Sequence, residues 1–113
     1  MQFLGKRVEK YFFSLYPNHA TPPPNHDDCH GAISLYCEKE YKLFIYFRDS
    51  VELPKNSYDS KLKTGVTYQS FARYKYYVDM LRNEESVFVI FKWEGISYIE
   101  PYFILSTERN IQK

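Results

Sequence analysis

The stretch that decides the fold runs from Lys42 to Trp93. It opens with Leu43-Phe44-Ile45-Tyr46-Phe47 and closes with Val87-Phe88-Val89-Ile90-Phe91, two unbroken apolar and aromatic runs. Runs of this kind read as central strands covered on both faces. Between them, residues 67–82 place Phe71, Tyr74, Val78 and Leu81 at helical spacing behind Thr67, a good N-cap. A right-handed crossover through that helix would lay strands 42–48 and 86–93 side by side and parallel.

Working outward, residues 2–16 read as an amphipathic helix. Leu4, Val8, Tyr11, Phe12 and Leu15 form its stripe, Lys6, Arg7, Glu9 and Lys10 fill the other side, and Pro17 ends it. Pro22-Pro23-Pro24 marks residues 17–30 as a loop. Residues 31–48 read as a hairpin in which Ile33, Leu35 and Cys37 alternate with Ser34 and Tyr36, turning at Glu38-Lys39-Glu40. Residues 49–65, with Pro54, Asn56, Ser57, Asp59, Ser60 and Gly65, read as a long loop. Strands 86–93 and 97–105 follow, with Pro101 marking an edge or a bulge in the second. The expected fold class is therefore α/β. It is one domain, 1–113, with a small mixed four-stranded sheet and two main helices in the order α-β-β-α-β-β.

Composition narrows the function. Fifteen Lys and Arg balance fourteen Asp and Glu for a net charge of +1, which excludes a polybasic protein, so a polyanion would have to be read by a local patch. The longest apolar runs are too short to span a bilayer, which needs about 20 residues, and no membrane role is expected. Two cysteines in 113 residues make no disulfide framework and point to a reducing cytoplasm. Aromatics reach 19%, including twelve Tyr. Such rings stabilise a small core, and exposed ones can stack on bases.

Several constellations could carry chemistry. His19, His26, Cys29, His30 and Cys37 cluster in sequence, but the adjacency of Cys29 and His30 and the strand phase of Cys37 argue against zinc. Carboxylates for a hard cation are available at Glu9, Asp27 and Asp28, with a literal Glu-x-Lys at Glu40-Tyr41-Lys42. Between 55 and 82, Lys55, Lys61, Lys63, Arg73, Lys75 and Arg82 outnumber Asp59 and Asp79, with five tyrosines interleaved. A basic loop leading into a helix can hold phosphate, so Lys61, Lys63, Arg73 and Lys75 are candidate nucleic-acid contacts.

Leu4-Gly5-Lys6-Arg7-Val8-Glu9, a hairpin entered through Asp27-Asp28, and Val66-Thr67-Tyr68-Gln69 together resemble the PD-(D/E)XK, or restriction-endonuclease-like, nuclease superfamily. That resemblance implies a metal-dependent phosphodiesterase site with Glu9 and Asp28 as ligands of Mg²⁺ or Mn²⁺. It also implies that Arg48 and Gln69 line the catalytic site. Tyr46-Phe47-Arg48 stands where the superfamily's Glu-x-Lys would fall, so the implied site is degenerate. The functional expectation is a nucleic-acid-binding, nuclease-like domain with weak or absent cleavage. The alternative is a small accessory, inhibitor or immunity-type domain that binds a protein partner, or a second copy of itself, through edge strand 97–105.

Overall fold

A computed structural model describes residues 2–16, 29–49, 52–84, 86–94 and 99–107. Seven strands form one curled mixed sheet: β1 (Gln2–Leu15), β2 (Cys29–Cys37), β3 (Lys42–Arg48), β4 (Ser57–Asp59), β5 (Thr64–Ser70), β6 (Val87–Glu94) and β7 (Ile99–Thr107). Their spatial order is β4-β5-β3-β2-β1-β6-β7. A 3₁₀ turn at Phe71–Arg73 leads into the one helix of the described residues, α1 (Tyr74–Asn83). The expected four-stranded α/β sheet with two main helices, and with it the restriction-endonuclease-like core, is overturned.

The correction begins at β1, where residues 2–16 form a strand instead of the expected helix. A β-bulge between Val8 and Lys10 inserts one residue into the ladder with β2. On the bulged strand Leu4, Val8, Tyr11 and Leu15 share a face, and their spacing of 4, 3 and 4 residues is also that of a helical stripe. One pattern therefore fits two structures. What separates them is the content of Val8 and Tyr11-Phe12-Phe13, which favours a pleated, half-buried surface.

The parallel pairing also lies elsewhere. Strand β3 pairs in parallel with β5, and β6 instead pairs antiparallel with β1 and β7. The crossover from β3 to β5 contains β4 and its turn, not a helix, so the expected loop 49–65 carries a strand and the start of another. The expected helix 67–82 is divided. Its first part belongs to β5, where Thr67 is a buried strand residue and not a cap, and only residues from Tyr74 onward are α-helical. The hairpin segment forms β2 and β3, paired antiparallel.

Alternation sorts the strands into two faces. Inward go Ile33, Leu35, Cys37, Leu43, Ile45, Phe47, Val87, Val89 and Phe91, all essentially buried. Helix α1 closes one end of this core with Tyr74, Tyr77, Val78 and Leu81, Phe47 meeting the rings of Tyr74 and Tyr77 at 4.9 and 5.4 Å. The sheet curls until β4 and β5 face β7. Tyr58 reaches Phe91, their rings 5.7 Å apart, and Gly65 abuts Phe103. No helix of the described residues is long and apolar enough to cross a membrane.

Candidate nucleic-acid interface

The outer face of the sheet is built from the residues that alternate with the core. Register across β1, β2, β3 and β5 sets them in rungs. The first rung is Lys10, Tyr36, Lys42 and Thr64, and the second is Phe12, Ser34, Phe44 and Val66. A third is Ser14, Ala32, Tyr46 and Tyr68, and Arg48 follows in register with Ser70. The rings touch from strand to strand, diagonally from Phe12 through Tyr36 to Phe44 and directly across at Tyr46 and Tyr68. Phe12 meets Tyr36 edge-on at 5.7 Å, Tyr36 meets Phe44 at 6.2 Å, and Tyr46 lies 5.9 Å from Tyr68. Cross-strand aromatic pairs of this kind stabilise a sheet. Phe12 is 54% exposed.

Cations edge this face. Lys10 Nζ sits 5.5 Å from the centre of the Tyr36 ring, Lys42 lies on the same rung, and Arg48 marks the far end. Burial pushes the Tyr46 hydroxyl above its ordinary pKa, helped by Tyr16, Tyr68 and Cys29. Burial also raises Tyr68, against a lowering contribution from Arg48. Both hydroxyls therefore stay protonated, able to donate, at neutral pH.

A second cluster lies at the end of the sheet away from α1. Tyr41 has two ammonium groups on its ring, Lys6 Nζ at 4.9 Å and Lys63 Nζ at 5.1 Å, and its own ring packs on Phe91 at 5.6 Å. Lys63 Nζ donates to the Lys39 carbonyl at 3.2 Å, and Lys42 N donates to the Lys63 carbonyl at 2.9 Å, locking the 38–41 and 60–63 turns together. Among the described residues, the non-glycine positions with positive φ are Lys39, Glu40 and Lys63, all in these two turns. Each such residue costs on the order of 1 kcal/mol, held here by the surrounding structure.

The sequence-derived site residues that the structure describes do not assemble. Glu9 is exposed at the β1 bulge, near the first rung, whereas Arg48 ends β3 roughly 20 Å away along the strand direction. Arg48 is paired with Ser70 and Gln69 with Phe47, so the Arg48 and Gln69 side chains leave opposite faces. Asp28, Asp27, His19 and His26 lie outside the described residues. Among those described, no three His, Cys, Asp or Glu gather as metal ligands. Strand β5 separates Lys61 and Lys63 at one end from Arg73 and Lys75 at the other, again by roughly 20 Å. The basic segment is thus two patches rather than one.

At the α1 end, His30 Nε2 meets Asp49 Oδ2 at 2.9 Å and its ring lies 5.5 Å from Phe71. Asp49 is exposed and His30 partly so. Sequence reasoning missed Phe12, Tyr36, Phe44, Lys10 and Lys42 as one surface. The available signal was the polar-to-aromatic alternation through Tyr36 and Phe44. Compared with known protein families, curated proteins and solved structures, the chain matches none.

Proposed function

We propose that the protein is a nucleic-acid-binding module that takes single strands on the outer face of its sheet and acts by binding rather than by metal-dependent cleavage. The observation that carries this reading is the diagonal run Phe12, Tyr36 and Phe44, edged by Lys10 and Lys42. Unpaired bases can lie on such rings while ammonium groups meet phosphate, and every base offers a stacking face, so recognition tolerates sequence. A duplex keeps its base faces stacked inside the helix and gains only the phosphate contacts. The reduced, buried thiols of Cys29 and Cys37 suit a cytoplasmic setting.

The test is anisotropy of labelled single-stranded and duplex DNA and RNA at two salt concentrations. Tyr36→Ala and Phe44→Ala should each weaken single-strand binding by about tenfold while leaving circular dichroism unchanged. Wild-type binding should fall steeply with salt. Absence of single-strand binding at low salt, or indifference to both substitutions, overturns the reading.

A second reading has its own observation. Strand β7 ends the sheet, and a cleft of about 260 Å³ runs beside it, lined by Arg73, Tyr76, Tyr77, Met80 and Phe103 to Leu105. An edge strand beside an apolar cleft can accept an extended peptide or a second copy of the chain. Light scattering across concentration tests the second copy.

A further inference from the structure

We infer that Lys6, Tyr41 and Lys63 form a site for a phosphomonoester dianion, and that its occupant is the terminal phosphate of a strand lying on the outer face; the choice of occupant rests on the nucleic-acid reading above.

Lys6 and Lys63 come from strand and turn positions more than fifty residues apart in sequence, yet both ammonium groups stand about 5 Å from one ring centre. They are thus no farther from each other than those two distances together. Both side chains are half-buried, which limits how far water screens them. Two like charges set against one ring repel each other, and neither has an ion-pair partner among the described carboxylates. The nearby acids are engaged or turned away. Glu38 Oε2 accepts from the Arg7 amide at 2.8 Å, Asp59 Oδ1 accepts from the Lys61 and Leu62 amides, and Glu40 is exposed. An added anion would relieve the repulsion.

Its charge follows from the count of donors. Lys63 spends one proton on the Lys39 carbonyl and keeps two, and Lys6 can offer three. Two cations complement a dianion, and a phosphomonoester carries close to two charges at neutral pH whereas a backbone phosphodiester carries one. The Tyr41 ring between them packs on Phe91. The cluster lies around the end of the sheet from the stacking face: Lys42 stands outward on the first rung with Lys10 and Tyr36, whereas Tyr41 and Lys6 turn to the core side. A strand stacked on Tyr36 and Phe44 would reach it by passing over the 38–41 turn.

The experiment compares oligonucleotides of one sequence bearing a 5′-phosphate, a 3′-phosphate or neither, with inorganic phosphate as competitor. On the wild-type protein one terminal phosphate should tighten binding by about tenfold. Lys6→Gln and Lys63→Gln should each abolish that increment but leave binding of the unphosphorylated strand, and Tyr36→Ala should weaken all three alike. Lys6 sits on a strand and Lys63 in a strained turn, so Lys6→Gln keeps the test valid if the turn variant unfolds. Equal affinity with and without a terminal phosphate overturns the dianion site while the stacking face stands. Inorganic phosphate bound in a Lys6-dependent way, without any oligonucleotide binding, retains the anion site but overturns its proposed occupant along with the nucleic-acid reading. No binding of either overturns both.

Discussion

Gly65 on β5 and the ring of Phe103 on β7 meet across the gap where the curled sheet comes back on itself. A Cβ at position 65 would stand 2.6 Å from Phe103 Cε1 and 3.1 Å from Leu43 Cδ1. The Phe103 ring cannot swing away freely, since it packs edge-on against Phe91 at 5.5 Å. Gly65→Ala should therefore destabilise the protein by about 1–3 kcal/mol, the usual cost of overpacking. Urea denaturation checks this, and an unchanged midpoint would mean that β5 and β7 do not approach as described.

Phe47 joins the sheet to the helix. It is fully buried and carries the rings of Tyr74 and Tyr77. Phe47→Ala should cost about 3–5 kcal/mol, and Phe47→Leu much less, because the first leaves a cavity under α1 and the second refills most of it. Hydrogen exchange should show α1 amides losing protection in the alanine variant more than the amides of β1.

These two residues also mark what was legible from sequence. Phe47 lies in an apolar run whose burial could be read directly, as could Val87 to Phe91. Their neighbours could not, because pairing is non-local and alternation does not name a partner. The β1 error had a specific cause: one bulge turned a period of two into spacings of 4, 3 and 4, and Lys6, inward beside Tyr41, masked the strand pattern further. The β5 error was similar. Phe71 continues the stripe of α1 backward, while the β-forming composition of Val66-Thr67-Tyr68 argued for a strand. The candidate surface was less legible than the fold. Phe12, Tyr36 and Phe44 become neighbours only when β1, β2 and β3 are set side by side, and the basic residues split once β5 is extended.

Thr67 is a polar residue in that core, with its hydroxyl donating to Asn56 Oδ1 at 2.8 Å. The bond ties β5 to the segment that enters β4. Thr67→Val keeps the shape and removes the donor, and should cost about 1 kcal/mol, with Thr67→Ser retaining most of the stability. Equal stability of the valine and threonine proteins by denaturant midpoint would show that the bond does not anchor the 52–56 segment.

Stability should also fall in alkali, and the sign follows from the acids buried here. Burial, then the charges of Glu38 and Glu9, push the Cys37 thiol from its ordinary 9.0 up to about 12. Burial likewise raises the hydroxyls of Tyr46, Tyr74 and Tyr77. Above pH 9 the unfolded chain releases the Cys37 proton while the folded chain keeps it, so the unfolded state binds fewer protons and stability drops with rising pH. The contribution is whole below pH 9 and is lost as the pH climbs toward about 12. Denaturant midpoints measured from pH 7 to 11 should hold steady and then decline from about pH 9, and Cys37→Ala should flatten the early part of that decline, leaving the tyrosine part above pH 10. A Cys37 thiol that reacts in the native protein at pH 8 as fast as in the unfolded chain would contradict the raised pKa and the burial behind it.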